Sequence, residues 1–157
     1  MLVLNMNKEY FMNKAILEAK KAATMGEVPV GAVIVRNGKI IARGRNKREM
    51  SKNAISHAEI ICIDKACKKL GGWRLFECEM YVTLEPCPMC AGAIINSRIK
   101  KVYFGAYDEK GGAVSSVVNL FELPFNHKPL VEAGVLEDHC SKILKDFFKE
   151  LRKNTLQ

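Results

Sequence analysis

With 157 residues, 48% of them hydrophobic and 27% charged, the chain has the size of one domain with a sizeable core and lacks the composition of a disordered or fibrous protein. Lys and Arg number 25 against 17 Asp and Glu, a net charge of +8; this favours a nucleic-acid partner over a free small molecule, although many soluble proteins are basic without binding an anion. No apolar run reaches the ~18 residues of a membrane helix, and Lys8 and Glu9 interrupt the mildly apolar start, so the expectation is a cytoplasmic protein whose six cysteines are thiols or metal ligands rather than disulfides.

The first predicted element is an amphipathic helix over Tyr10–Met25. Phe11, Ile16, Ala19 and Ala23 share its apolar side, Lys14, Glu18, Lys20 and Lys21 face solvent, and Gly26 closes it. After Pro29, the β-branched run Val30–Val35 and the extended run Ile40–Arg43 flank Asn37-Gly38, a strong hairpin signal. Gly44–Ser56 reads as a loop. His57–Leu70 reads as a helix with Ile60, Ile63, Cys67 and Leu70 on its buried face. Met80–Leu84 is a short strand. Pro88–Asn96 is so apolar that a deeply buried helix is expected. Lys101–Gly105 is a further strand, Asp108–Ser116 a loop, Val117–Leu123 a short helix, Leu130–Val135 a fifth strand and Glu137–Arg152 a closing helix. An initial hairpin followed by strands joined through helices predicts a three-layer α/β/α fold on a mixed five-stranded sheet. No linker or repeat divides residues 1–157, so one domain fills the chain.

Two segments carry chemistry. His57-Ala58-Glu59 opens one predicted helix, and Pro86-Cys87-Pro88-Met89-Cys90 opens another, with Pro88 in the first turn, where its missing N–H costs nothing. Cys87 and Cys90, one helical turn apart, present both sulfurs to one side. His57 can add a nitrogen, and a helix N-terminus favours the thiolate that a metal requires. Three protein ligands on a tetrahedral zinc ion leave one position for water, the mark of a catalytic site. Glu59 stands where a carboxylate can move that water's proton without joining the ligands. The plainer alternatives are a redox Cys-x-x-Cys pair, which needs no histidine, and a structural zinc site, which needs a fourth ligand such as His127, His139 or Cys140. Cys62, Cys67, Cys78 and Cys140 are expected to be buried thiols, and His139 a surface residue.

His-x-Glu together with Pro-Cys-x-x-Cys is the signature of the zinc nucleobase deaminases. Nearly the whole chain resembles one branch of that superfamily, the bacterial tRNA-specific adenosine deaminases. Gly26 to Val33, Leu84 to Ile94, Ser97-Arg98-Ile99, Phe104-Gly105-Ala106, Asn126-His127 and Gly134-Val135-Leu136 are each similar to family segments. The resemblance implies conversion of the wobble adenosine of a tRNA anticodon to inosine by a homodimer with a zinc ion in each subunit. It implies that His57, Cys87 and Cys90 bind zinc, that Glu59 shuttles protons, and that water attacks C6 of a flipped adenine with loss of ammonia. It also implies that Asn46 holds the target nucleoside, and that Pro29, Val30, Ala58 and Pro86 line the pocket. Lys110, Phe148, Arg152 and Lys153 would then grip the anticodon loop, although solvated charges and a core phenylalanine would look the same. Two stretches depart from the family: Asn53-Ala54-Ile55-Ser56 replaces Asp-Pro-Thr-Ala, and Ser115 stands where glycine is usual. Two other functions remain open at this level. One is a free-base or nucleotide deaminase of the same fold, acting on guanine or cytosine compounds; the other is a non-catalytic, zinc-stabilised RNA-binding module.

Overall fold

Asn37 and Gly38 both adopt positive φ, 51° and 73°, as a two-residue turn matched to the twist of its strands requires. The turn joins β1 (Gly31–Arg36) to β2 (Lys39–Arg45) antiparallel, with a bulge at Ile34/Val35. The computed structural model describes residues 2–155. In it α1 (Leu2–Thr24) precedes this hairpin, and α2 (Arg48–Ser51), α3 (Ala58–Leu70), β3 (Cys78–Leu84), α4 (Pro88–Asn96) and β4 (Lys101–Ala106) follow. A 3-10 turn at Leu120–Glu122, β5 (Leu130–Glu132) and α5 (Glu137–Thr155) complete the chain.

The sheet order is β2-β1-β3-β4-β5. β3 pairs antiparallel with β1 and parallel with β4, and β4 pairs parallel with β5, so the five-stranded sheet is mixed. Strand alternation divides the core between its two faces. Val33, Val35, Tyr81 and Tyr103 join Phe11, Met12, Ile16 and Cys140 from α1 and α5. Ala32, Ile34, Met80, Val82, Val102 and Phe104 join Ala58, Cys62, Ala66, Ala91 and Ile94 from α3 and α4. The result is the expected three-layer α/β/α arrangement.

Several expectations change in detail. α1 begins earlier than Tyr10, and Glu18 on it is buried, holding Arg45 at 3.1 Å, instead of facing solvent. Gly44–Ser56 is not wholly loop, since β2 runs to Arg45 and α2 follows. On α3 the fully buried residues are Ala58, Glu59, Cys62 and Ala66, while Ile60, Ile63, Cys67 and Leu70 are half-buried. The reason is close approach: a Cβ on Gly44 would lie 2.4 Å from the Ala58 carbonyl oxygen, and small residues allow α3 to lie directly on β2. Cys67 is thus a half-buried thiol. α4 buries Cys90, Ala91, Ile94 and Ile95, but Met89, Gly92 and Ala93 are only half-buried and its end residues Pro88 and Asn96 are exposed, so it is not buried all round. The helix expected over Val117–Leu123 shrinks to the 3-10 turn, capped by the Asn119 side chain, and the fifth strand shrinks to Leu130–Glu132. Among the described residues no helix is long and apolar enough to cross a membrane.

Candidate functional site

α3 and α4 both start at the end of the sheet where the parallel strands β3 and β4 finish, the usual place for a site in an α/β fold. His57 is the N-cap of α3 and Cys87 the N-cap of α4, both with extended backbone. Neither side chain caps its own helix; both turn toward each other instead. His57 Nδ1 lies 3.6 Å from Cys87 Sγ and 3.6 Å from Cys90 Sγ. The three donor atoms all fall within 4.8 Å of one another, and they form the only such potential metal cluster among the described residues. The structural-zinc alternative needed a fourth ligand, yet His127 Nε2 is engaged with the Ile99 carbonyl at 2.8 Å, His139 is exposed on α5, and Cys140 packs against Gly105 on the α5 side of the sheet.

The three groups of this cluster share their protons. The Cys87 thiol is held down to about 4, chiefly by its hydrogen bond with Cys90 and, against its burial, also by the one with His57. Cys90 is pushed up by the same bond to Cys87, by burial and by Glu59. His57 is raised, first by its hydrogen bond with Cys87. Two sulfurs and an imidazole nitrogen this close together are a donor set that a divalent metal can take up with release of those protons. Glu59, in the first turn of α3, is 4% exposed, and burial pushes its carboxyl up to about 7.

A cavity of about 730 Å3 opens over the cluster. Of the expected site residues, His57, Glu59, Cys87, Asn46, Val30 and Ala58 line it, and so do Lys110 and Phe148 at its rim. Pro29 and Pro86 are buried and do not line it; Pro86 accepts the Ala113 N–H through its carbonyl. Arg152 and Lys153 are exposed on the last turn of α5, beyond the lining. Asn46 has a role in the wall itself: its Nδ2 donates to the Val28 carbonyl and its Oδ1 accepts the Arg48 N–H, both at 3.1 Å. An amide of this kind retains one further N–H and one further lone pair.

The cavity also uses residues that motif reasoning passed over, among them Val28, Arg48, Glu85, Tyr107 and Leu144. Glu85 directly precedes the Pro-Cys segment, and its charge amid apolar neighbours was the available signal. Arg48 and Tyr107 gave none, because their place depends on how two loops fold over the site.

Comparison with known proteins settles the family. The MafB19-like deaminase family model matches residues 6–152. The tRNA-specific adenosine deaminase of Bacillus subtilis is 57% identical over 92% of this chain and 91% of its own length. That of Aquifex aeolicus is 48% identical over 96% of this chain and 100% of its own. The chain belongs to the tRNA-specific adenosine deaminases. A solved structure from a study of A-to-I editing by tRNA deaminases at the wobble position of transfer RNA superposes with a TM-score of 0.84. It shares 46% identity and covers 86% of this chain and 99% of that one. As a tRNA-specific adenosine deaminase the chain is an enzyme, a hydrolytic deaminase on a cytidine deaminase-like α/β fold.

Proposed function

We propose that this chain hydrolyses the wobble adenosine of a tRNA anticodon to inosine, using one zinc ion per subunit held by His57, Cys87 and Cys90. The observation that carries the proposal is the buried Glu59 carboxylate beside a cluster of three donors, in the wall of a cavity large enough for a nucleobase. The donor set fits zinc. Bonds of ~2.3 Å to sulfur and ~2.0–2.1 Å to nitrogen in a tetrahedral arrangement put the two atoms about 3.5 Å apart, beside the 3.6 Å seen from His57 Nδ1 to each sulfur. A zinc ion bound there would lower the pKa of a water molecule so that it attacks near neutral pH.

The chain's own groups supply the remaining chemistry. Glu59 accepts the proton of the attacking water and returns it to the adenine ring as C6 becomes tetrahedral. Its carboxyl next carries a proton to the departing amino group, so adenosine and water give inosine and ammonia. Val30 and Ala58 offer apolar surface to the flipped base, and Asn46 presents its free amide valences to the nucleoside. Lys110 and Phe148 at the rim, with Arg152 and Lys153 beyond it on α5, meet the phosphates and bases of the anticodon loop. The half-covered side of α4, with Met89, Gly92 and Ala93, is the surface we assign to a homodimer. We take the whole chain as one deaminase domain that acts in the cytoplasm.

The test uses zinc-loaded protein and an RNA hairpin with adenosine at the wobble position of an arginine anticodon, beside free adenosine, cytidine and guanine. Inosine in the hairpin alone, seen by mass spectrometry, supports the proposal. Turnover of a free base or nucleoside with the hairpin untouched overturns the substrate, and no deamination of any of them favours an RNA-binding module.

A further inference from the structure

Besides Glu59, two further buried carboxylates stand close to the site, and the mechanism above uses neither. Glu27 is 1% exposed and Glu85 is 2% exposed. A buried carboxylate is costly unless every oxygen finds a donor. Among the described residues neither forms an ion pair, and both are compensated by donors from the segments that wall the cavity.

Glu27 serves the segment that holds Arg48. α2 has four residues, and the side chain of its N-cap, Lys47, makes no capping bond. A single turn of helix does not sustain itself, and its first N–H groups need acceptors from elsewhere. Asn46 takes the Arg48 N–H. Glu27 reaches across to take the next two, with Oε1 at 3.0 Å from the Glu49 nitrogen and Oε2 at 2.8 Å from that of Met50.

Glu85 serves the segment that holds Lys110. Its Oε1 accepts the Asp108 N–H at 3.2 Å and the Ser116 hydroxyl. Its Oε2 accepts the N–H groups of Val114 at 3.3 Å, Ser115 at 2.9 Å and Ser116 at 2.9 Å. Asp108 in turn accepts the N–H groups of Lys110 and Gly111 through Oδ1. The loop folds so tightly on the carboxylate that a Cβ on Gly112 would lie 2.2 Å from its carbon.

We infer that Glu27 and Glu85 are positioning residues, each fixing one stretch of the cavity wall and, through it, Arg48 or Lys110 against the RNA. The inference rests on the proposed function for the identity of that ligand. Neither carboxylate moves a proton in the reaction. Each acts by accepting backbone N–H groups that would otherwise be buried without a partner or would turn out to water.

The test compares Glu27→Gln and Glu85→Gln with the zinc-loaded wild-type chain. Glutamine keeps the shape and one acceptor but turns an NH2 group toward the donors. Backbone hydrogen exchange should quicken at residues 49–50 in the first variant and at residues 114–116 in the second, with zinc content unchanged. KM for the hairpin should rise about tenfold while kcat changes less than about threefold. Ser116→Ala removes a single donor from Glu85 and should shift KM and local exchange in the same direction by less. It decides the matter if Glu85→Gln fails to fold. Unchanged exchange at both segments, or a fall in kcat at constant KM, would overturn the inference. If the wild type makes no inosine, the proposed function has failed, and the exchange pattern by itself still decides whether the two carboxylates hold these segments.

Discussion

His57 Nδ1 stands 3.6 Å from Cys87 Sγ although the two residues belong to different helices. Both occupy N-cap positions and neither side chain caps, so the pair is arranged for something other than helix stability. Cys87→Ala is therefore expected to lose most of its metal, measured by elemental analysis of the purified protein. The fold should survive, because Cys87 is only half-buried and its neighbours Ala91 and Ile94 remain in the core.

Glu59→Gln should separate binding from chemistry. Gln fills the same buried space, so the metal should stay and the far-ultraviolet circular dichroism should match wild type. Loss of a positioned acid–base group costs roughly 10²–10⁴-fold in kcat. Steady-state kinetics with metal analysis on the same sample checks both halves, and a variant within a few-fold of wild type would remove Glu59 from the mechanism.

Gly44→Ala tests how the sheet carries the site. The new methyl group would lie 2.4 Å from the Ala58 carbonyl oxygen and 2.9 Å from the Cys62 nitrogen. Backbone atoms cannot swing aside as a flexible side chain does, so overpacking should cost about 1–3 kcal/mol. The clash falls on the first turns of α3, which carry His57 and Glu59 at their start. Thermal unfolding should show a lower Tm, and metal affinity should weaken with it.

Glu132 links acidity to stability. Burial pushes its carboxyl up, but hydrogen bonds from Lys8 and Lys101 outweigh that and hold it below the ordinary carboxylate value. A carboxyl lowered in the folded state stabilises the protein above its unfolded pKa, and that contribution disappears as pH falls through the folded value. Glu132→Gln should thus be less stable than wild type near pH 7, by under about 1 kcal/mol because the group is a third exposed. The two proteins should converge below about pH 4. Denaturant midpoints measured across that range check the sign.

What was legible in the sequence was local. His57-x-Glu59 and Cys87-x-x-Cys90 carry their chemistry within one helical turn each, and Asn37-Gly38 announces its own hairpin. The misplaced features depend on distant partners. The buried face of α3 is set by how closely Gly44 lets it approach β2, not by where its largest apolar residues fall. Glu18 is buried because Arg45 from β2 meets it. α2 exists because Glu27, far back in the chain, supplies acceptors to its first turn. Glu85 had a signal, a charge beside the cysteine segment, yet its five donors come from a loop more than twenty residues later.

On the proposed function, His57, Cys87 and Cys90 hold a zinc ion without which tRNA is not deaminated. Stripping the protein of metal with a chelator, dialysing the chelator away and assaying inosine in the anticodon hairpin before and after adding zinc tests it directly. The expected result is no inosine from the stripped protein and recovery when zinc is restored, with one ion bound per chain. Undiminished inosine formation by the metal-free protein would contradict it.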